Sequence, residues 1–88
     1  MIPKQFALAG CVWKVVEVAG MDDLGCTNPQ TFTITLRKEL NQQAKEQTFC
    51  HELVHAIKFT MGLTDHSEQE VDAFGHLLHQ FLKQKGSK

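Results

Sequence analysis

Hydrophobic and polar positions change period along this chain, and each change marks an element. Residues 6–18, FALAGCVWKVVEV, are rich in Val, Phe and Trp and read as extended structure, two short strands pivoting near Gly10. Val12, Lys14, Val16 and Val18 fall on one side of that run, and Trp13, Val15 and Glu17 on the other. Gly20 to Gly25 reads as a turn, and residues 26–30 continue it as a loop, because the residue before Pro29 is held out of the helical region. Strict alternation follows at Thr31-Phe32-Thr33-Ile34-Thr35-Leu36. Three apolar side chains on one face and three threonines on the other make this the clearest strand, buried on one side.

After Leu40 the period lengthens. Asn41 is an N-cap candidate, nothing interrupts a helix as far as Met61, and Gly62 suits the position just past its end. At about 100° per residue, Phe49, Leu53, Val54, Ile57 and Met61 share one broad arc with Cys50 and Ala56. Residues 63–66 connect to a second helix, capped by Asp65 or Ser67 and running to about Gln84. Its apolar positions are Val71, Phe74, Leu77, Leu78, Phe81 and Leu82. The expected fold class is therefore α+β: a small antiparallel or mixed sheet of about three strands, packed on two helices, as a single domain spanning 1–88.

Composition narrows the functions open to such a chain. A net charge of −1 with interspersed signs argues against a nucleic-acid partner. No apolar run is long enough to span a membrane. The first residues lack a signal-peptide pattern, so a cytoplasmic location is expected. Three cysteines without a C-x-x-C pair do not make a disulfide framework. Cys11 and Cys50 read as small buried apolar residues and Cys26 as the exposed one. At this size the core is thin, so a bound metal would add stability, and an oligomer is left open.

The chemistry lies in the first helix. His51, Glu52 and His55 form H-E-x-x-H. Residues four apart stand one turn above each other, so both imidazoles reach one ion. They fall outside the apolar arc, and Glu52 lies about 100° round from His51, beside an ion rather than bound to it. Two nitrogens and a neighbouring carboxylate suit zinc, with Glu52 as general base on a water. A catalytic zinc takes a third protein ligand. Glu70 is the expected one, because it shares a stripe with Phe74 and Leu78, and a carboxylate there needs a counter-charge. Glu68 is the alternative, and after it a downstream histidine; Ser67-x-x-Glu70 also fits a capping box that would occupy Glu70 otherwise, unless Asp65 is the cap. Asp72 is a candidate for orienting a ligand histidine.

The stretch TFCHELVHAI, preceded by the alternating strand and followed by EVDAFGHLL, resembles the compact gluzincin-type zinc metallopeptidases. It is similar to the ImmA/IrrE-type peptidases and to very small phage and prophage metallopeptidase-like proteins. The resemblance covers residues 31–82. It implies a minimal zincin-like domain, zinc held by His51, His55 and Glu70, and Thr31–Leu36 lying along a cleft for a peptide or protein substrate. It further implies hydrolysis of peptide bonds. The chain has no tyrosine, so an oxyanion helper would be His66, His76 or His79. The alternative function is a non-catalytic, zinc-stabilised module that binds a regulatory or other protein partner.

Overall fold

The structure is a computed structural model, and it describes residues 2–63 and 67–86. Strands β1 (Gln5–Leu8), β2 (Cys11–Val18), β3 (Gly25–Asn28) and β4 (Thr33–Arg37) precede helices α1 (Gln42–Thr60) and α2 (Glu68–Gly86). The fold is α+β, with a four-stranded mixed sheet in the order β1-β2-β4-β3. Strands β1 and β2 form a hairpin across Ala9 and Gly10, both at positive φ, 52° and 82°. Two positive values suit a two-residue turn that follows the twist of the strands, and glycine takes one of them without strain. Strand β2 then runs parallel to β4, and β3 pairs antiparallel with the other side of β4.

Two expectations from the sequence are corrected here. Residues 26–30 are not all loop, because β3 makes a fourth strand. Gly-Cys-Thr-Asn carries little β preference of its own, and pairing with β4 supplies what local preference does not. The second correction concerns Thr31–Leu36. Its ordered part is β4, which has a neighbour on each side, so it offers no free edge to a peptide. Phe32 leaves the strand with φ of 50° and packs edge-on against Trp13. The exposed edge on this side of the sheet belongs to β3.

Trp13, Ile34, Leu36, Phe49 and Ala56 form the central core, with Phe6, Leu8, Val15 and Leu53 packed around them. The core lies between one face of the sheet and α1. The other face of β2 leaves Val12, Val16 and Val18 exposed. Helix α1 is fixed at both ends. Asn41 Oδ1 accepts from Ala44 N at 2.8 Å. At the far end Gly62 N donates to Phe59 O and Leu63 N to Lys58 O, with Gly62 at φ 82°. That pair of bonds is the Schellman arrangement. Met61, placed by its spacing on the apolar arc, is exposed, because the helix ends there beyond the sheet.

Helix α1 sits between the sheet and α2, in contact with β3, β4 and α2. It is therefore buried on two sides, which explains why Glu52 is buried along with Phe49, Cys50, Val54 and Ala56. Ser67 precedes helix α2; its Oγ accepts from Glu70 N at 3.4 Å and its carbonyl accepts from Val71 N. Val71, Gly75 and His79 are the buried positions of α2 among its described side chains. The apolar residues Phe74, Leu77 and Phe81, expected in the core, are exposed. Gly75 supplies the reason. A Cβ at that position would stand 2.9 Å from His51 Cα and 3.1 Å from His51 N. The glycine lets the two backbones meet there, and α2 is turned so that its small side, not its bulky side, faces α1. No helix among the described residues is long and apolar enough to cross a membrane.

Candidate metal centre

His51 and His55 occupy successive turns of α1, their ring centroids 5.1 Å apart. Both are half-buried, with imidazoles directed towards the first turn of α2. There the side chain of Glu68 meets them. Oε1 lies 3.4 Å from His51 Nε2, and Oε2 lies 3.2 Å from His55 Nε2. One donor atom from each of the three residues lies within 4.8 Å of the others.

Whether these residues fit a zinc ion can be judged from distances alone. With bonds of about 2.0–2.2 Å and tetrahedral angles, zinc holds its ligand atoms roughly 3.3–3.5 Å apart. The two histidine–carboxylate separations, each to a different Glu68 oxygen, are of that order, and a single set of three donor atoms lies within 4.8 Å, so a zinc ion needs the side chains to draw in. The donor set, two imidazole nitrogens and one carboxylate, matches the type that leaves a fourth position open. Asp72, one turn after Glu68, places Oδ1 3.5 Å from His51 Nδ1. A carboxylate facing the other ring nitrogen favours a proton on Nδ1 and so leaves Nε2 as the lone-pair donor towards Glu68.

Glu52 points the other way round α1, towards the sheet. Thr27 of β3 places its hydroxyl 2.6 Å from Glu52 Oε1 and 3.0 Å from the carbonyl oxygen of the same residue. The hydroxyl, donating to the carboxylate at the shorter distance, holds Glu52 on the sheet side of the cleft that the histidines also line. Gly25 makes the approach possible, since a Cβ there would lie 2.7 Å from Thr48 Cγ2 and 3.3 Å from Glu52 Cγ. These groups line one cleft of about 620 Å3, bounded by Asp23, Leu24 and Gly25 on the sheet side. Ala44, Gln47, Thr48, His51, Glu52 and His55 contribute from α1, and Glu68 and Asp72 from α2. The volume is in the range of small-molecule and peptide side-chain pockets.

Glu70, the third ligand expected from the sequence, is not with the histidines. Its Oε1 accepts from Lys58 Nζ at 2.6 Å. That hydrogen bond, reinforced by the lysine's charge, holds the Glu70 carboxyl below its ordinary range. Its position follows from the rotation of α2: the stripe it shares with Phe74 is not the one facing α1. Glu68, kept as the alternative, is the carboxylate that the structure brings to the site.

The candidate oxyanion helpers are placed as follows. His76 is exposed and lies 2.9 Å from Gln47 Nε2 through its own Nε2. His79 is buried beneath α1, with Nε2 3.7 Å from Glu46 Oε1. Neither lines the cleft. His66 lies outside the described residues. Two contributors went unread in the sequence, Thr27 and Gly75. The signal for Gly75 was available, since a glycine inside a helical run marks close backbone approach. It stands two turns after Glu68, and that spacing points to Glu68 as the residue on the facing side. No protein-family profile, curated protein sequence or solved structure matches the chain.

Proposed function

We propose that this chain is a zinc-dependent peptidase of minimal zincin-like build, with His51, His55 and Glu68 as the metal ligands. One observation carries the reading: three convergent donor atoms on the wall of an open cleft that the carboxylate-bearing Glu52 also lines from the sheet side. His51, His55 and Glu68 would hold the zinc ion, which would supply Lewis-acid chemistry for peptide hydrolysis. Glu52 would serve as the general base and acid, taking a proton from the attacking water and returning it to the leaving amine. Thr27 keeps the Glu52 carboxylate in place while it does so. Asp72 holds the His51 ring in register.

The sheet edge supports a peptide rather than a small-molecule substrate. Strand β3 borders the cleft at Gly25 and has β4 on one side only. An extended chain adds to such an edge through backbone hydrogen bonds. Asp23 and Asp72 stand in the cleft wall without a lysine or arginine among the described lining residues, which favours neutral or basic side chains near the scissile bond.

The test is Glu52→Gln. This variant keeps zinc affinity and loses peptide cleavage by about 100-fold or more, measured on a mixed peptide pool. Equal cleavage by Glu52→Gln and the wild type would rule the mechanism out. A second reading rests on the ligand set spanning both helices, so that zinc cross-links α1 to α2. In that case the chain is a non-catalytic module stapled by its metal. Zinc-dependent folding with no cleavage of any peptide by the wild type selects it.

A further inference from the structure

Among the described residues four carboxylates line the cleft, and three of them are held by the chain itself. Thr27 donates to Glu52, Glu68 meets His51 and His55, and Asp72 faces His51. The fourth, Asp23, is exposed in the cleft wall. Its side chain has no hydrogen-bond or ion-pair partner among the described residues.

The backbone sets where Asp23 stands. Gly25 and Thr27 turn towards α1: a Cβ on Gly25 would meet Thr48 Cγ2 at 2.7 Å, and the Thr27 hydroxyl reaches Glu52 Oε1 at 2.6 Å. The ladder with β4 continues one residue before β3, where Arg37 N donates to Leu24 O at 2.9 Å. Alternation along that extended run returns Asp23 to the Gly25 side. Going back from Thr27 to Gly25, the chain passes from Glu52 to Thr48, one helical turn nearer the start of α1. The same direction carries Asp23 on towards Ala44 and Gln47, which line the cleft with it. At about 3.3 Å per residue, Asp23 lies up to roughly 13 Å along the chain from Thr27.

We propose that, given the peptidase reading on which this rests, Asp23 selects the substrate by binding the ammonium or guanidinium of a lysine or arginine side chain, about three or four residues from the bond to be cut. A peptide paired with the free edge of β3 advances at the strand's own rise. Its residue beside Asp23 is therefore about four positions from the one beside Thr27. Glu68 and Asp72 are turned to the histidines, so Asp23 is the lining carboxylate left for a substrate cation. A metal ion is the less suitable occupant of this end. The grouped donors are those of His51, His55 and Glu68, and Ala44, Gln47 and Thr48 add no carboxylate or imidazole beside Asp23. One carboxylate near a neutral amide and a hydroxyl suits a single ammonium or guanidinium, which requires only acceptors.

Peptides blocked at both ends, with one lysine or a norleucine in its place at successive positions, test it. Cleavage by the zinc-loaded chain is read by mass spectrometry, and the blocked ends leave the side chain as the only cation. The expected kcat/KM is about fivefold higher for lysine than for norleucine at one position, three or four residues from the cut. Asp23→Asn brings that ratio to about one, and Asp23→Lys turns the preference to glutamate. Asp22→Asn, next in the chain but outside the cleft lining, leaves the ratio as it was. A ratio of one in the wild type, a ratio that survives Asp23→Asn, or a preference seen only with a free N-terminal amine overturns the proposal. If the wild type cuts no peptide, the peptidase reading fails, and Asp23 is judged by binding alone. Fluorescence anisotropy of the same peptides, labelled, then separates lysine from norleucine in the wild type and not in Asp23→Asn. Equal binding of the two, or none, overturns the proposal as well.

Discussion

Glu68 and Glu70 are two residues apart on α2, on nearly opposite sides of the helix, and each has found a different partner. Glu68 faces His51 and His55, and Glu70 faces Lys58. The histidines were legible in the sequence because their convergence needs only the helical repeat within one element. The carboxylate that meets them was not, because it depends on how α2 is rotated against α1. Counting apolar positions at helical spacing put Phe74 in the core, and Glu70 with it. The glycine at 75 outweighs that count. Two of the three cysteine environments were read correctly: Cys50 is buried and Cys26 exposed, whereas Cys11, expected to be buried, is only partly so. Burial, helped by the negative charge of Glu46, pushes the Cys50 thiol up from 9.0 to about 11. An unfolded thiol ionises near the ordinary value and the folded one only near the raised value. Its contribution to stability is therefore whole below pH 9.0 and is lost as pH climbs towards about 11. Alkylation by iodoacetamide at neutral pH, followed by mass spectrometry, should modify Cys26 first and leave Cys50 until the protein is unfolded. Early modification of Cys50 would contradict its burial.

At the scale of elements, the parts governed by local chemistry were the ones that sequence reasoning placed well. The Asn41 cap, the Gly62 end of α1 and the turn near Gly10 each follow from one or two residues. Strand β3 was missed because four weak residues become a strand only when β4 is beside them. The same non-local pairing moved the free sheet edge from β4 to β3. The approach of α2 to α1 is the element-level feature on which the site depends most. Gly75→Ala tests it. Alanine is the better helix former by about 1 kcal/mol, yet its methyl would meet backbone atoms of His51 that cannot swing aside. Overpacking of that kind costs ~1–3 kcal/mol. The expected net effect is a lower urea midpoint together with zinc affinity reduced about tenfold, because Glu68 moves with the helix. A variant as stable as the wild type, with unchanged affinity, would show that the contact is not tight.

For the molecule as a whole, a single sheet and two helices enclose a core of few large side chains, chiefly Trp13, Ile34, Leu36 and Phe49. Helix α2 is joined to the rest through α1, with its far flank exposed. A metal bridging His51 and His55 to Glu68 would tie α2 down at its first turn, so binding and folding are coupled. A ligand at a hundred times its dissociation constant adds about 2.7 kcal/mol. For a domain of this size that is on the order of 10–20 °C in Tm. The most direct measurement is the thermal midpoint of the wild type, Glu68→Gln and Glu70→Gln, each with and without excess zinc. The zinc-dependent rise is predicted for the wild type and for Glu70→Gln, whose exposed ion pair with Lys58 contributes little. It is predicted to disappear in Glu68→Gln. A full rise in Glu68→Gln, or its loss in Glu70→Gln, would contradict the assignment of the site.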